Sequence, residues 1–131
     1  MNKNIYKIYK KKSGTLLPIS LKKNIPFATK RLFIINGKKN FYRGDHAHYK
    51  CSQYLIVTKG SVKVEYESIK ENKKITLSFN NKKGLLIKPR TWLKIKFENN
   101  HSTLIVFCDR EYEFNDYIEN YNDFKKLIRK K

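Results

Sequence analysis

The chain reads as an all-β domain, a sandwich or barrel, closed by one C-terminal helix. Three observations lead there. Short runs alternate apolar and polar residues with period two, as in Val62-Lys63-Val64-Glu65-Tyr66-Glu67. Polar turns separate these runs at short, regular intervals. Helical spacing of apolar residues appears only after Asp116.

The elements follow in order. Arg31 to Ile35 is a continuous apolar run, read as a central strand, and Gly37-Lys38-Lys39-Asn40 turns the chain after it. Val62, Val64 and Tyr66 share one strand face, with Lys63, Glu65 and Glu67 on the other. Ser68 to Lys74 is polar. Ile75, Leu77 and Phe79 alternate with Thr76 and Ser78, and Asn80 to Gly84 turns again. Leu93, Ile95 and Phe97 alternate with Lys94 and Lys96 ahead of Asn99-Asn100, and Thr103 to Cys108 is a second continuous apolar run. The total is about eight to ten strands. From Asp116 to Lys130, Tyr117, Ile118, Tyr121, Phe124, Leu127 and Ile128 recur at helical spacing. Asp116 and Glu119 lie early in this stretch, and Lys125, Lys126, Arg129 and Lys130 lie late, as the helix dipole favours.

Composition bounds the function. A length of 131 residues suits one domain, residues 1–131, with one core. Hydrophobic residues make up 40% and argue against disorder. The net charge of +19 raises the possibility of a polyanionic partner. The lysines, however, are spread along the chain, even through ordinary turns, and are not gathered into a stripe. A lysine-rich composition accounts for them better than nucleic-acid binding does. Cys51 and Cys108 have no CxxC spacing, which suits a reducing cytoplasm and gives no zinc or redox motif. No apolar run approaches 20 residues, so no membrane span is expected. The opening MNKNIYKIYKKK has a signal peptide's charge without its apolar stretch.

Two of the chain's three histidines stand together as His46-Ala47-His48. On a strand, i and i+2 share a face, so both rings project the same way. The spacing His46-x-His48-x4-Gln53-x6-Gly60 resembles the first motif of the cupin superfamily, with glutamine for the usual glutamate. Cupins are double-stranded β-helix barrels related to jelly rolls, in keeping with the strands above. In metal-binding cupins a later histidine completes the ligand set. Here the matching segment, Pro89-Arg90-Thr91-Trp92-Leu93-Lys94, has none. Two histidines and an amide make a weak metal site, so no metal is expected. What remains is an acid/base pair in a barrel mouth, since imidazole exchanges protons near neutral pH. A pair of purely structural histidines is the alternative.

A closer resemblance covers nearly the whole chain. Arg43-Gly44-Asp45-His46-Ala47-His48, then Gln53, then Gly60-Ser61, is similar to the dTDP-sugar 3,4-ketoisomerases, small metal-independent cupins. Gly84-Leu85-Leu86-Ile87-Lys88-Pro89-Arg90-Thr91-Trp92 resembles the family's G-L-x-I-x-P-x-x-W segment. The stretch from Asp116 to Phe124 resembles its D-Y-I-x-x-Y-x-x-F ending. Gly14-Thr15-Leu16 and Asn24-Ile25-Pro26-Phe27 fit its opening strands. Three positions depart from the family: Ser13 for arginine, Phe33 for tyrosine and Leu93 for histidine.

The resemblance implies an isomerase that moves the ketone of dTDP-4-keto-6-deoxyglucose from C4 to C3 through an enediolate, without a cofactor. It implies His48 as base, His46 as its partner in proton transfer, and Arg43 against the oxyanion or the diphosphate. Arg31 would bind phosphate, Gln53 the sugar hydroxyls, and Trp92 or Tyr54 the thymine or the sugar. A homodimer with N-terminal strands packed across the interface is implied as well. So is a product bound for an aminotransferase that serves surface polysaccharide. Ser13, Phe33 and Leu93 keep open a non-catalytic cupin that binds a nucleotide sugar.

Overall fold

A computed structural model describes residues 6–129. Among these, eleven strands form. They are β1 Tyr9–Lys11, β2 Gly14–Leu16, β3 Arg31–Gly37, β4 Tyr42–His48, β5 Gln53–Lys59, β6 Ser61–Glu67, β7 Asn72–Ser78, β8 Leu85–Ile87, β9 Trp92–Phe97, β10 Ser102–Cys108 and β11 Tyr117–Ile118. The short β1, β2 and β11 carry too few residues for an alternating pattern to reveal them. A one-turn helix α1, Leu21–Asn24, follows β2, and α2, Tyr121–Arg129, ends the described chain.

Two antiparallel sheets face each other in a jelly-roll sandwich. One has the order β3-β10-β5-β8 and the other β11-β4-β9-β6-β7. The inward residues of both fill the space between: Leu55 and Val57, Leu104 and Val106, Val62 and Val64, Ile95 and Phe97. Leu55, Val57, Val62, Val64, Leu104 and Phe97 are fully buried, and burial of such a side chain contributes about 1.5–3 kcal/mol. The alternation read in the sequence at β6, β7 and β9 is the alternation between this core and the outer faces.

The outer faces are covered too. The N-terminal segment lays Tyr6 and Ile25 on Tyr54, Ile56 and Phe107 of the first sheet. Helix α2 lays Phe124 on Ala47, Trp92 and Ile118 of the second.

The helix is shorter than its periodicity predicts. Asp116 closes a 3-10 turn, Phe114–Asp116, and Tyr117 and Ile118 pair with His48 and Ala47 of β4. Pairing with β4 satisfies these backbone groups, so helix starts only where Asn120 accepts the Asp123 N–H at 3.0 Å as its cap. Lys130 lies outside the described residues. Among the described residues, no helix is long and apolar enough to cross a membrane.

Candidate active site

The site is built on β4, and a bulge decides what that strand presents. The β4–β9 register pairs Arg43 with Ile95, Gly44 with Lys94, and then His46 with Leu93, leaving Asp45 as an extra residue. Gly44 and Asp45 both adopt positive φ, 89° and 62°. An extra residue shifts the side-chain alternation by one. Arg43 and His46 therefore share the inner face, although they are three apart. His48 follows on that face, and Ala47 turns outward into the α2 contact. The Asp45 carboxylate accepts the Trp92 Nε1–H at 3.1 Å.

A cavity of about 530 Å³ opens between the sheets at this point. Its polar lining comprises Arg31 from β3, Tyr42, Arg43 and His46 from β4, Gln53 from β5, and Tyr117 and Glu119 from the C-terminal segment. Phe33, Leu93, Ile95 and Val106 supply apolar wall. A small set of polar groups converging in an apolar cleft of this size is the usual form of a small-molecule site. The Arg31 guanidinium is held between the rings of Phe33 and Tyr112, 5.0 and 5.3 Å from their centroids.

The two histidines differ in their surroundings. His46 lines the cavity, and its Nδ1 lies 3.0 Å from the Gly44 carbonyl oxygen. A carbonyl only accepts, so Nδ1 carries the proton and the neutral ring's Nε2 carries the lone pair. His48 is buried at 6% exposure, behind His46 and under Tyr117. The His46 and His48 rings meet edge to face with centroids 5.1 Å apart. His48 Nδ1 is 3.3 Å from Asp116 Oδ2, and its Nε2 is buried with no hydrogen-bond partner among the described residues.

Burial lowers the pKa of both rings. For His46 the Gly44 carbonyl and the charges of Glu119 and Asp45 oppose the shift. For His48 burial is reinforced by His46 and opposed by Asp116, and the result is about 4. Both rings are therefore neutral at pH 7, the form that can take up a proton.

His48, Cys51 and Asp116 bring donor atoms within 4.8 Å of one another. Their chemistry is that of a hydrogen-bond cluster. Asp116 already accepts the Lys50 N–H at 2.9 Å and the Cys51 N–H at 3.1 Å. The Cys51 proton is held on by its hydrogen bond with Cys108 and by burial. A metal would need that thiol deprotonated and that carboxylate freed.

Of the residues singled out from sequence, the cavity brings together Arg31, Arg43, His46 and Gln53, with His48 behind. Two lie elsewhere. Tyr54 points to the outer face of the first sheet, into the cluster with Tyr6 and Ile25. It follows Gln53 on a regular strand, so one of the two must face out. Trp92 likewise faces outward, against Phe124 and Tyr121. Of the three departures, Phe33 and Leu93 line the cavity, and Ser13 sits in the exposed turn between β1 and β2. Apolar spacing predicts that Asp116 and Tyr117 start a helix, which gives neither a place in the site. The pairing of Tyr117 with His48 at the end of β4, and the Tyr49 N–H on the Asp116 carbonyl, bring both to the histidines.

The chain matches the family described as FdtA, WxcM-like, C-terminal, over residues 1–129. It is 35% identical over 118 residues to the TDP-4-oxo-6-deoxy-alpha-D-glucose-3,4-oxoisomerase of Aneurinibacillus thermoaerophilus, covering 89% of this chain and 84% of that one. Its fold is similar to the crystal structure of QdtA, a sugar 3,4-ketoisomerase from Thermoanaerobacterium thermosaccharolyticum, in complex with TDP. The TM-score is 0.84 at 34% identity, covering 95% of this chain and 91% of that one. A histidine-to-asparagine mutant of that ketoisomerase, in complex with TDP-4-keto-6-deoxyglucose, matches with TM-score 0.84 at 33% identity over 98% of this chain and 96% of that one.

Proposed function

This chain belongs to the FdtA family and is a TDP-sugar 3,4-ketoisomerase, and from that premise we propose that its histidine pair moves the ketone of dTDP-4-keto-6-deoxyglucose from C4 to C3. The observation that carries the proposal is His46. Its Nδ1–H is committed to the Gly44 carbonyl, so a basic Nε2 belongs to a ring that lines the cavity.

The chemistry needs only proton transfers. The C4 ketone acidifies the proton on C3. His46 Nε2 removes it, leaving an enediolate across C3 and C4. The histidines exchange that proton with solvent and deliver one to C4, and the C3 hydroxyl proton passes to the oxygen on C4. The C3 oxygen is then the ketone, with atoms and electrons balanced and no redox partner required. The family resemblance implies His48 as the base. The geometry supports exchanging the two roles, because His46 lines the cavity and His48 lies behind it.

Arg31 and Arg43 suit the diphosphate and the developing oxyanion, since guanidinium forks bind such oxygens in pairs. Gln53, which also lines the cavity, would hydrogen-bond a sugar hydroxyl. Tyr54 and Trp92 keep structural roles in this reading.

A homodimer is also proposed. Among the described residues β3 is an open sheet edge, and its outer-face side chains Leu32 and Ile34 are 50% and 58% exposed, as are Tyr9 and Leu16 on the β1–β2 hairpin at 51% and 61%. Covering such an edge is what a second copy would do. We place the enzyme in the cytoplasm, where its 3-keto product would feed an aminotransferase of surface-polysaccharide synthesis.

The test is incubation with dTDP-4-keto-6-deoxyglucose in deuterated buffer, followed by NMR. The expected result is loss of the C3 proton signal and a 3-keto product deuterated at C4. Binding of TDP with no exchange and no product would overturn the proposal and leave a nucleotide-sugar binder.

A further inference from the structure

We propose that Asp116 is a positioning residue of the reaction, fixing the tautomer of His48 and supplying the counter-charge for the proton that the histidine pair holds. The inference rests on the ketoisomerase reading above and extends it to a residue that touches no substrate.

Three hydrogen bonds from the loop after β4 hold Asp116. The Tyr49 N–H reaches its carbonyl at 2.9 Å, the Lys50 N–H its Oδ1 at 2.9 Å, and the Cys51 N–H its Oδ2 at 3.1 Å. The side chain is 8% exposed. A carboxylate so held cannot swing away, and its Oδ2 stands 3.3 Å from His48 Nδ1. An ionised carboxylate only accepts, so His48 carries its proton on Nδ1. The lone pair then sits on Nε2, the buried atom without a partner among the described residues. Leaving such an atom unpaired carries a desolvation cost. A basic nitrogen kept open beside the group that removes the substrate proton gives that cost a use.

Charge points the same way. Once the C3 proton leaves carbon, the two rings share one positive charge until it returns. The groups facing His48 are His46 on its own strand, Arg31 from β3, Tyr117 from β11, Cys51 from the following loop, and Asp116. His46 and Arg31 disfavour a charge on His48. Asp116 is the one carboxylate among the described residues in direct contact with either ring.

Asp116→Asn tests this with nearly constant shape. It removes the counter-charge in either orientation of its amide. With its carbonyl toward Lys50, its NH2 faces His48 Nδ1 and puts the ring's proton on Nε2, the wrong tautomer. With its carbonyl toward Cys51 and His48, the tautomer is kept and only the charge is lost. The expected result is a fall in kcat of about 10²–10⁴-fold, with KM within about threefold of wild type and the acid limb of the kcat profile displaced. Equal losses in kcat and KM accompanied by a lowered melting temperature would indicate scaffolding alone and overturn the proposal. A second measurement, on the wild type, keeps the test independent of how the variant folds. Long-range proton–nitrogen correlation of its imidazoles should show His48 in the Nδ1–H form, and an Nε2–H form would overturn the proposal. The NMR assay of wild-type turnover tests the ketoisomerase reading separately, since the tautomer can be read in an inactive protein.

Discussion

A Cβ placed on Gly44 would lie 2.9 Å from the carbonyl oxygen of Leu93 on the neighbouring strand. That approach is closer than real side chains make, and the obstacle is backbone, which does not swing aside. Gly44 also has φ of +89°, a conformation that disfavours any side chain. The bulge that aligns Arg43 with His46 therefore depends on this glycine. Gly44→Ala should destabilise the protein by about 1–3 kcal/mol, read by urea denaturation. It should also lower kcat by more than tenfold, because the Gly44 carbonyl that orients His46 moves with the strand. Wild-type activity in a destabilised Gly44→Ala protein would separate the bulge from the chemistry.

His46→Asn removes the basic nitrogen of a ring that lines the cavity while keeping a polar side chain. Loss of a positioned general base costs about 10²–10⁴-fold in rate. The variant should bind TDP with near wild-type affinity by calorimetry and show no deuterium uptake at C3. If C3 exchange survived in His46→Asn and vanished in His48→Asn, the base would be His48.

The fold was legible because the signals that specify it are local. Alternation at Val62 to Glu67 and at Leu93 to Phe97, with polar turns between, needs no knowledge of distant contacts. The site was legible less evenly. His46, Arg43 and Gln53 stand near one another in sequence around one strand. Asp116 and Tyr117 reach His48 only through a strand pairing across 68 residues, which periodicity cannot reveal. Their apolar spacing matched a helix, and pairing with β4 overrode it. Tyr54 and Trp92 show the converse: large aromatic residues beside site residues look functional, and period two places them on the outer face. The Gly44-Asp45 pair inside a strand pattern is a bulge signal in its own right, and it would have brought Arg43 to the inner face on sequence grounds.

Arg31 is fixed before any ligand arrives, held between Phe33 and Tyr112. A preorganised guanidinium loses little freedom on binding, so its removal should weaken binding more than chemistry. Arg31→Met, which keeps the length and drops the charge, should raise KM about 10- to 100-fold with kcat changed less than about threefold, in steady-state assays. Binding of TDP to the wild type should weaken as salt rises, and less steeply in Arg31→Met. A fall in kcat at unchanged KM would assign Arg31 to the transition state instead.

The burial of His48 has a signature in stability that does not involve substrate. Its pKa falls from about 6.5 in the unfolded chain to about 4 in the fold, chiefly because burial penalises the charged ring. Below pH 6.5 the unfolded chain therefore takes up a proton that the folded chain refuses. The stabilising contribution is complete above pH 6.5 and drains away as the pH falls toward 4. A displacement of that size is worth about 3 kcal/mol, and about 2 kcal/mol once solvent reaching the cavity edge is allowed for. The protein also carries +19 at neutral pH and repels itself further as its carboxylates protonate, so its total acid sensitivity exceeds this. Comparison with His48→Asn cancels the shared part. Between pH 7 and pH 4.5, the wild type should lose about 2 kcal/mol more in urea denaturation than His48→Asn does. Parallel losses would mean that His48 is protonated in the native state, with a proton on both nitrogens and no base behind His46.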